Sequence, residues 1–177
     1  VLADGRVLSS SRREKVIRVW APEACIAIAE PEGHSDHLGG CKILADGRIL
    51  SWSSDSTLRL WDGASGDSLG VLEGHSDSVV GAKVLDDGQI LSWSSDSTLR
   101  LWDGESVAPL DVLEGHSGSV LGAKILADGR ILSWSVDSTL HLWDGENGTS
   151  LAVLEGHSDS VVGAKVLDDG RILSWSS

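Results

Sequence analysis

The sequence predicts an all-β fold assembled from four-stranded antiparallel sheets, and three observations carry that prediction. A unit of 41 residues recurs along a chain of 177. Its apolar runs are short and end at Asp-Gly or Glu-Gly pairs, the mark of strands joined by tight turns. All eight aromatic residues are Trp, with no Phe, Tyr or Met, and they fall into two registers of the same interval, Trp20, Trp61, Trp102, Trp143 and Trp52, Trp93, Trp134, Trp175.

The repeat is strict. Gly-His recurs at Gly33-His34, Gly74-His75, Gly115-His116 and Gly156-His157, and Trp-Asp at Trp61-Asp62, Trp102-Asp103 and Trp143-Asp144, each step being 41 residues. Residues 43–83 differ from 125–165 at 6 of 41 positions and from 84–124 at 10. Copies this alike point to recent duplication or a built array.

Within one period each element has a local cause. Residues 78–85 read as a first strand that stops at Asp87-Gly88, where Gly accepts the turn backbone. A second strand spans about 89–94 and carries Ile90, matching Ile49 and Ile131. A third spans about 98–102 and closes at Asp103-Gly104; a fourth spans about 110–113 and closes at Glu114-Gly115. A twisted sheet of four short strands cannot bury both faces alone, so such sheets stack on their neighbours, as blades do in a β-propeller.

The order Gly-His, Asp-Gly, Ser-x-x-x-Asp, Trp-Asp resembles the WD-repeat β-propeller family along the whole chain. By that resemblance blade 1 spans about 1–32, blade 2 about 33–73, blade 3 about 74–114 and blade 4 about 115–155, with a partial unit at 156–177 expected to close the ring. The family's hydrogen-bonded tetrad carries over as His34, Ser51, Asp55, Trp61; His75, Ser92, Asp96, Trp102; and His116, Ser133, Asp137, Trp143. The chemistry agrees: a turn Asp can accept the imidazole N–H and fix its tautomer, the ring then faces the Ser hydroxyl, and a buried indole N–H needs an acceptor. Ser, His and Asp together could also suggest a hydrolase. The set recurs at a fixed period without a nucleophile-elbow Gly pattern or an oxyanion hole, so no catalytic residue is assigned.

Blade 1 departs from the pattern. Trp20 is followed by Ala21, and the stretch between Ser9 and Trp20 has one extra residue and no Asp, so its tetrad is expected to be lost; a fourth strand at about 25–30 places Cys25 in apolar packing. Residues 166–177 repeat the phase of 1–12, and the remainder is four periods plus the one inserted residue. His157 and Ser174 recur without a following Asp or third-strand Trp. Because rings of the family need six to eight blades, the resemblance implies two copies forming a homodimeric eight-bladed ring; a fragment of a longer array ranks second, and a closed four-bladed monomer last. The strand at 171–176 competes with 6–11 for one slot, and Trp175 stands where blade 1 has Ser10.

Composition limits the partners. A formal charge of −13 disfavours nucleic acid and anionic membrane, and no apolar run approaches the roughly 20 residues of a membrane span. The two cysteines, Cys25 and Cys41, are too few for a disulfide scaffold, which favours a cytoplasmic setting. The opening Val1 and the absence of Met fit a processed start or a segment of a longer protein.

Remaining features have plain readings. The loop at 34–37 offers two His and one Asp without a further ligand, and the Asp-Gly pairs lack the oxygens calcium needs, so no metal or cofactor is predicted. Asn147-Gly148-Thr149 fits a glycosylation acceptor at a hairpin turn. The register of Trp52, Trp93, Trp134 and Trp175 is expected between blades. Lys42, Lys83, Lys124 and Lys165 recur on the first strand of each unit; they line a channel that could hold an anion, pair with a nearby Asp, or lie between blades. The expected function is a non-enzymatic scaffold for protein or peptide partners, using the variable segments 64–70, 105–111 and 146–152. The alternatives are a structural or engineered repeat fragment without activity and a small-anion binder in the channel.

Overall fold

A computed structural model of the chain describes residues 5, 7–11, 16–21, 26–29 and 33–177. Every regular element among them is a β-strand. The chain forms two compact units, Val1–Val79 and Val80–Ser177.

The first unit holds β1 (Val7–Ser11), β2 (Val16–Ala21) and β3 (Ile26–Ala29) as one antiparallel sheet, and β4 (Leu38–Ile43), β5 (Ile49–Ser53), β6 (Leu58–Trp61) and β7 (Ser68–Leu72) as another, each in chain order. Cys25 and the turn at 12–15 lie outside the described residues. The second unit continues with β8 (Val79–Val84), all but its first residue, β9 (Ile90–Ser94), β10 (Leu99–Trp102) and β11 (Pro109–Leu113), then β12 (Val120–Ile125), β13 (Ile131–Ser135), β14 (Leu140–Trp143) and β15 (Ser150–Leu154), then a two-stranded sheet of β16 (Val161–Val166) and β17 (Ile172–Ser176). The strands predicted for one period thus fall within two residues of their observed bounds, and meander pairing of neighbours orders each sheet.

The sequence explains which strand goes where. β5, β9 and β13 share Ile-Leu-Ser-Trp-Ser and bury residues on both faces, so they lack the simple polar and apolar alternation of a half-exposed strand. β7 and β11 bury only their last residue, as befits outermost strands with an open edge. The connection from β4 to β5 is set by Asp46-Gly47. Gly47 adopts φ 90, a conformation costly to a residue with a Cβ, and Asp46 Oδ1 accepts the Arg48 N–H at 3.0 Å.

The sheets of the second unit stack face to face. Leu91, Leu99, Leu101 and Leu113 pack against Val120, Ile131 and Trp143 of the next sheet, and Leu132 and Leu140 pack against Val161 of the one after. In the first unit Leu38, Ile49 and Trp61 form a core that Cys41 and Ile43 border.

The two Trp registers separate in this packing. Trp61, Trp102 and Trp143 are fully buried, whereas Trp52, Trp93 and Trp134 are half-buried and Trp175 is exposed. Each of the second set covers a glycine of the neighbouring strand: Trp52 covers Gly40, Trp93 Gly81, Trp134 Gly122 and Trp175 Gly163. Trp93 and Trp134 also border the cores between stacked sheets.

Candidate functional site

The densest polar arrangement in the second unit is built by one strand pair and two turns. His116 lies just before β12, Ser133 in the middle of β13, Asp137 in the turn to β14 and Trp143 at the end of β14. Antiparallel pairing sets Ile131 opposite Trp143, so the indole folds back along β13 and its Nε1 donates to Ser133 Oγ at 2.9 Å. Ser133 Oγ also lies 2.8 Å from His116 Nε2, and His116 Nδ1 lies 2.9 Å from Asp137 Oδ2. Asp137 further accepts the Ser117 N–H at 2.9 Å, the Thr139 N–H at 2.9 Å and the Thr139 hydroxyl at 2.7 Å.

These bonds assign the protons. An ionised Asp137 can only accept, so His116 carries its proton on Nδ1; Nε2 then accepts from the Ser133 hydroxyl, whose oxygen accepts from the indole. Burial lowers the His116 pKa, which the bond to Asp137 only partly offsets, so the ring is neutral. Burial alone would raise Asp137; the bonds from Thr139, Ser117 and His116 outweigh it and bring the carboxyl down to about 2. Each polar atom in the chain of bonds has a partner, as a dry site requires.

The first unit repeats the arrangement. His34 Nδ1 lies 2.9 Å from Asp55 Oδ2, His34 Nε2 lies 2.8 Å from Ser51 Oγ, and Trp61 Nε1 donates to Ser51 Oγ at 2.8 Å. His75 belongs to the first unit and Ser92, Asp96 and Trp102 to the second. Within the second, Trp102 Nε1 donates to Ser92 Oγ at 2.8 Å and Asp96 accepts the Thr98 hydroxyl at 2.7 Å. The first sheet, whose tetrad was expected to be lost, keeps part of it, since Trp20 Nε1 donates to Ser9 Oγ at 2.7 Å. In the partial unit His157 Nε2 lies 2.8 Å from Ser174 Oγ.

Sequence reasoning passed over three positions. Thr57, Thr98 and Thr139 clamp the turn carboxylate. Ser53 Oγ donates to His37 O at 2.9 Å and accepts the Asp55 N–H at 3.1 Å, so it ties the two turns together. The repeated Ser-x-Ser-x-Asp-x-Thr pattern was the available signal for both. The third position is Arg59, Arg100 and His141, the residue two before each buried Trp. The Arg59 and Arg100 guanidinium carbons lie 5.9 and 6.0 Å from the rings of Trp61 and Trp102, and His141 stacks on Trp143 at 5.1 Å.

The lysines sit on the first strand of each sheet, with Lys42 and Lys165 exposed and Lys83 and Lys124 half-buried. The turn carboxylates Asp46, Asp128 and Asp169 pair with Arg48, Arg130 and Arg171. Among the described residues no group of three or more His, Cys, Asp or Glu is placed to hold a metal ion, and no helix is long and apolar enough to cross a membrane.

The arrangement is a rigidifying clasp: it fixes two turns to the middle strand through buried, directional bonds. Its Ser has no exposed surface, and its oxygen already accepts an indole proton.

Comparisons agree with this geometry. The crystal structure of the WD40 beta propeller domain of Doa1 is similar to 99% of this chain, with a TM-score of 0.78 and 28% identity. The chain spans 59% of that structure's length. No curated protein matches the sequence. The family described as WD domain, G-beta repeat matches residues 25–62, 66–103 and 107–144, and the chain belongs to that family.

Proposed function

We propose that the chain is a non-enzymatic scaffold that holds protein or peptide partners on its loops, with the tetrads serving only to make the blades rigid. The fold generally mediates protein–protein interaction. The observation that carries the reading is the burial of Ser133 beneath the Trp143 indole: a nucleophile must be reached by substrate and must have a lone pair to spend, and this hydroxyl has neither access nor a spare direction. The loops are where repeats this similar can differ. Segments 64–70, 105–111 and 146–152 vary between units and are mostly exposed, so a partner that distinguishes one unit from another would read them. Replacing 105–111 and 146–152 by the 64–70 sequence is expected to abolish capture of partners that read those two segments and leave the thermal midpoint within a few degrees. Unchanged capture would move the binding surface elsewhere.

The blade limits 33–73, 74–114 and 115–155 belong to the same proposal, as does a homodimer in which two copies form an eight-bladed ring. Light scattering tests the assembly directly: about twice 18.6 kDa supports it, and a stable single-chain mass removes it. The proposed setting is cytoplasmic. The recurrence of Lys42, Lys83, Lys124 and Lys165 on the first strand of four sheets supports a second reading, an anion held by these side chains. Calorimetric titration with inorganic phosphate is expected to show saturable binding that Lys83→Gln weakens; no heat of binding would dismiss it.

A further inference from the structure

β6, β10 and β14 share the pattern Leu-x-Leu-Trp and differ at its second residue, which is Arg59, Arg100 and His141. Arg59 and Arg100 are half-buried; the Nε of each is buried without a hydrogen-bond partner, as His141 Nδ1 is, but the long side chain can carry the rest of a delocalised charge to the edge of solvent. His141 is too short for that. It is 4% exposed, its ring lies 4.1 Å from the His116 ring and stacks on Trp143, and its Nδ1 is buried with no hydrogen-bond partner. That nitrogen faces Gly115, where an added Cβ would stand 3.1 Å away.

A neutral ring is accommodated here. A protonated one would be a buried cation with an N–H that finds no acceptor, held against the imidazole of a network whose bonds require that imidazole to stay in place. The titratable groups facing it are His116, from the segment before β12, and Asp137, from the turn before β14; β13 and β15 set Ser133 and Val153 opposite it. Asp137 is occupied by four hydrogen bonds from other groups.

We propose that His141 is a proton-operated trigger built into one repeat: a proton on its ring opens the His116, Ser133, Asp137, Trp143 network and releases β13–β15, while the repeats with Arg at the same position hold. Burial above all, with His116 alongside adding to it, pulls the His141 pKa down to about 4, and Asp137 only partly opposes this. Opening restores the ordinary value of 6.5. The opened repeat therefore binds the proton more tightly, and each pH unit below about 6.5 favours it about tenfold more, until the folded-state pKa is reached.

Amide hydrogen exchange on the intact chain tests this, because 90–113 is an internal control carrying Arg100. After correction for intrinsic rates, exchange in 131–154 is expected to accelerate about fifteenfold relative to 90–113 between pH 6.5 and 5. The difference should vanish in His141→Arg and His141→Gln. Parallel behaviour of the two segments in the unaltered protein overturns the proposal, as does a difference that survives His141→Gln. Should both variants fail to fold, an NMR titration of the unaltered protein decides: a His141 ring signal that titrates near 6.5 with no change in the fold defeats the trigger.

Discussion

At the scale of single residues, the repeats act as controls for one another. Val107 adopts φ 56 in the turn between β10 and β11, where the corresponding turns hold Gly66 at φ 80 and Gly148 at φ 66. A β-branched residue in the left-handed region costs about 1–2 kcal/mol, of which the extra entropy of an unfolded Gly returns part. Val107→Gly is expected to stabilise the chain by about 0.5–1 kcal/mol, read as a higher urea midpoint. A lower midpoint would show that the valyl group makes contacts worth more than its strain. Asp137 provides a second residue-scale prediction. Its carboxyl falls from 3.8 to about 2 on folding, so the unfolded chain binds the proton more tightly. The contribution, about 2 kcal/mol, is complete above the unfolded value and disappears as pH falls through the folded one. Asp137→Asn should therefore cost about 2 kcal/mol at neutral pH and almost nothing below pH 2, and the two denaturation curves measured from pH 7 to 2 should converge. A penalty independent of pH would assign the loss to packing instead.

At the scale of elements, a sheet is held in register by pairs that only one repeat position allows. Gly122 on β12 lies opposite Trp134 on β13, at the end of a register shift that begins at Val120. A Cβ on Gly122 would overlap the Trp134 ring, so Gly122→Ala is expected to cost about 1–3 kcal/mol through overpacking. The double variant Gly122→Ala, Trp134→Leu should recover part of that loss, and additive effects in this cycle would mean that the two residues do not meet. Much of the element order was legible because a repeat shows each strand and turn several times: Asp-Gly marks one turn, and the Ser-x-x-x-Asp spacing marks the carboxylate that closes another. The spacing of His, Ser, Asp and Trp was legible for the same reason, and in two sets, His34 with Ser51, Asp55 and Trp61 and His116 with Ser133, Asp137 and Trp143, those residues bond to one another. What separates the two Trp registers was not. Both read as apolar aromatics on strands, and only the crossing of a glycine backbone by Trp52, Trp93 and Trp134 distinguishes them from the buried Trp61, Trp102 and Trp143. His141 was equally silent: one Arg replaced by His looks like surface drift until the missing length of the side chain is seen to bury a titratable ring.

At the scale of the whole molecule, identical strands stand in unequal surroundings. β17 has the same five residues as β9 and β13, yet Leu173 is 53% exposed while Leu91 and Leu132 are fully buried. Those two are covered by the sheet that follows each of them, Leu91 by the cluster containing Val120 and Leu132 by Val161. Leu173 and Trp175, two residues apart on β17, present the same apolar chemistry uncovered, and a large apolar side chain is worth about 1.5–3 kcal/mol once water leaves it. If two copies assemble, this face supplies part of the interface, and a charge there should be felt by association alone. Sedimentation velocity of Leu173→Lys is expected to give the mass of one chain where the unaltered protein gives two, with the far-ultraviolet circular dichroism of both the same. The equivalent change in a covered position, Leu132→Lys, should unfold its repeat instead, because an ammonium there has neither water nor a partner. A Leu173→Lys chain that still sediments as a pair would place the interface on other residues and leave this face to a different sheet.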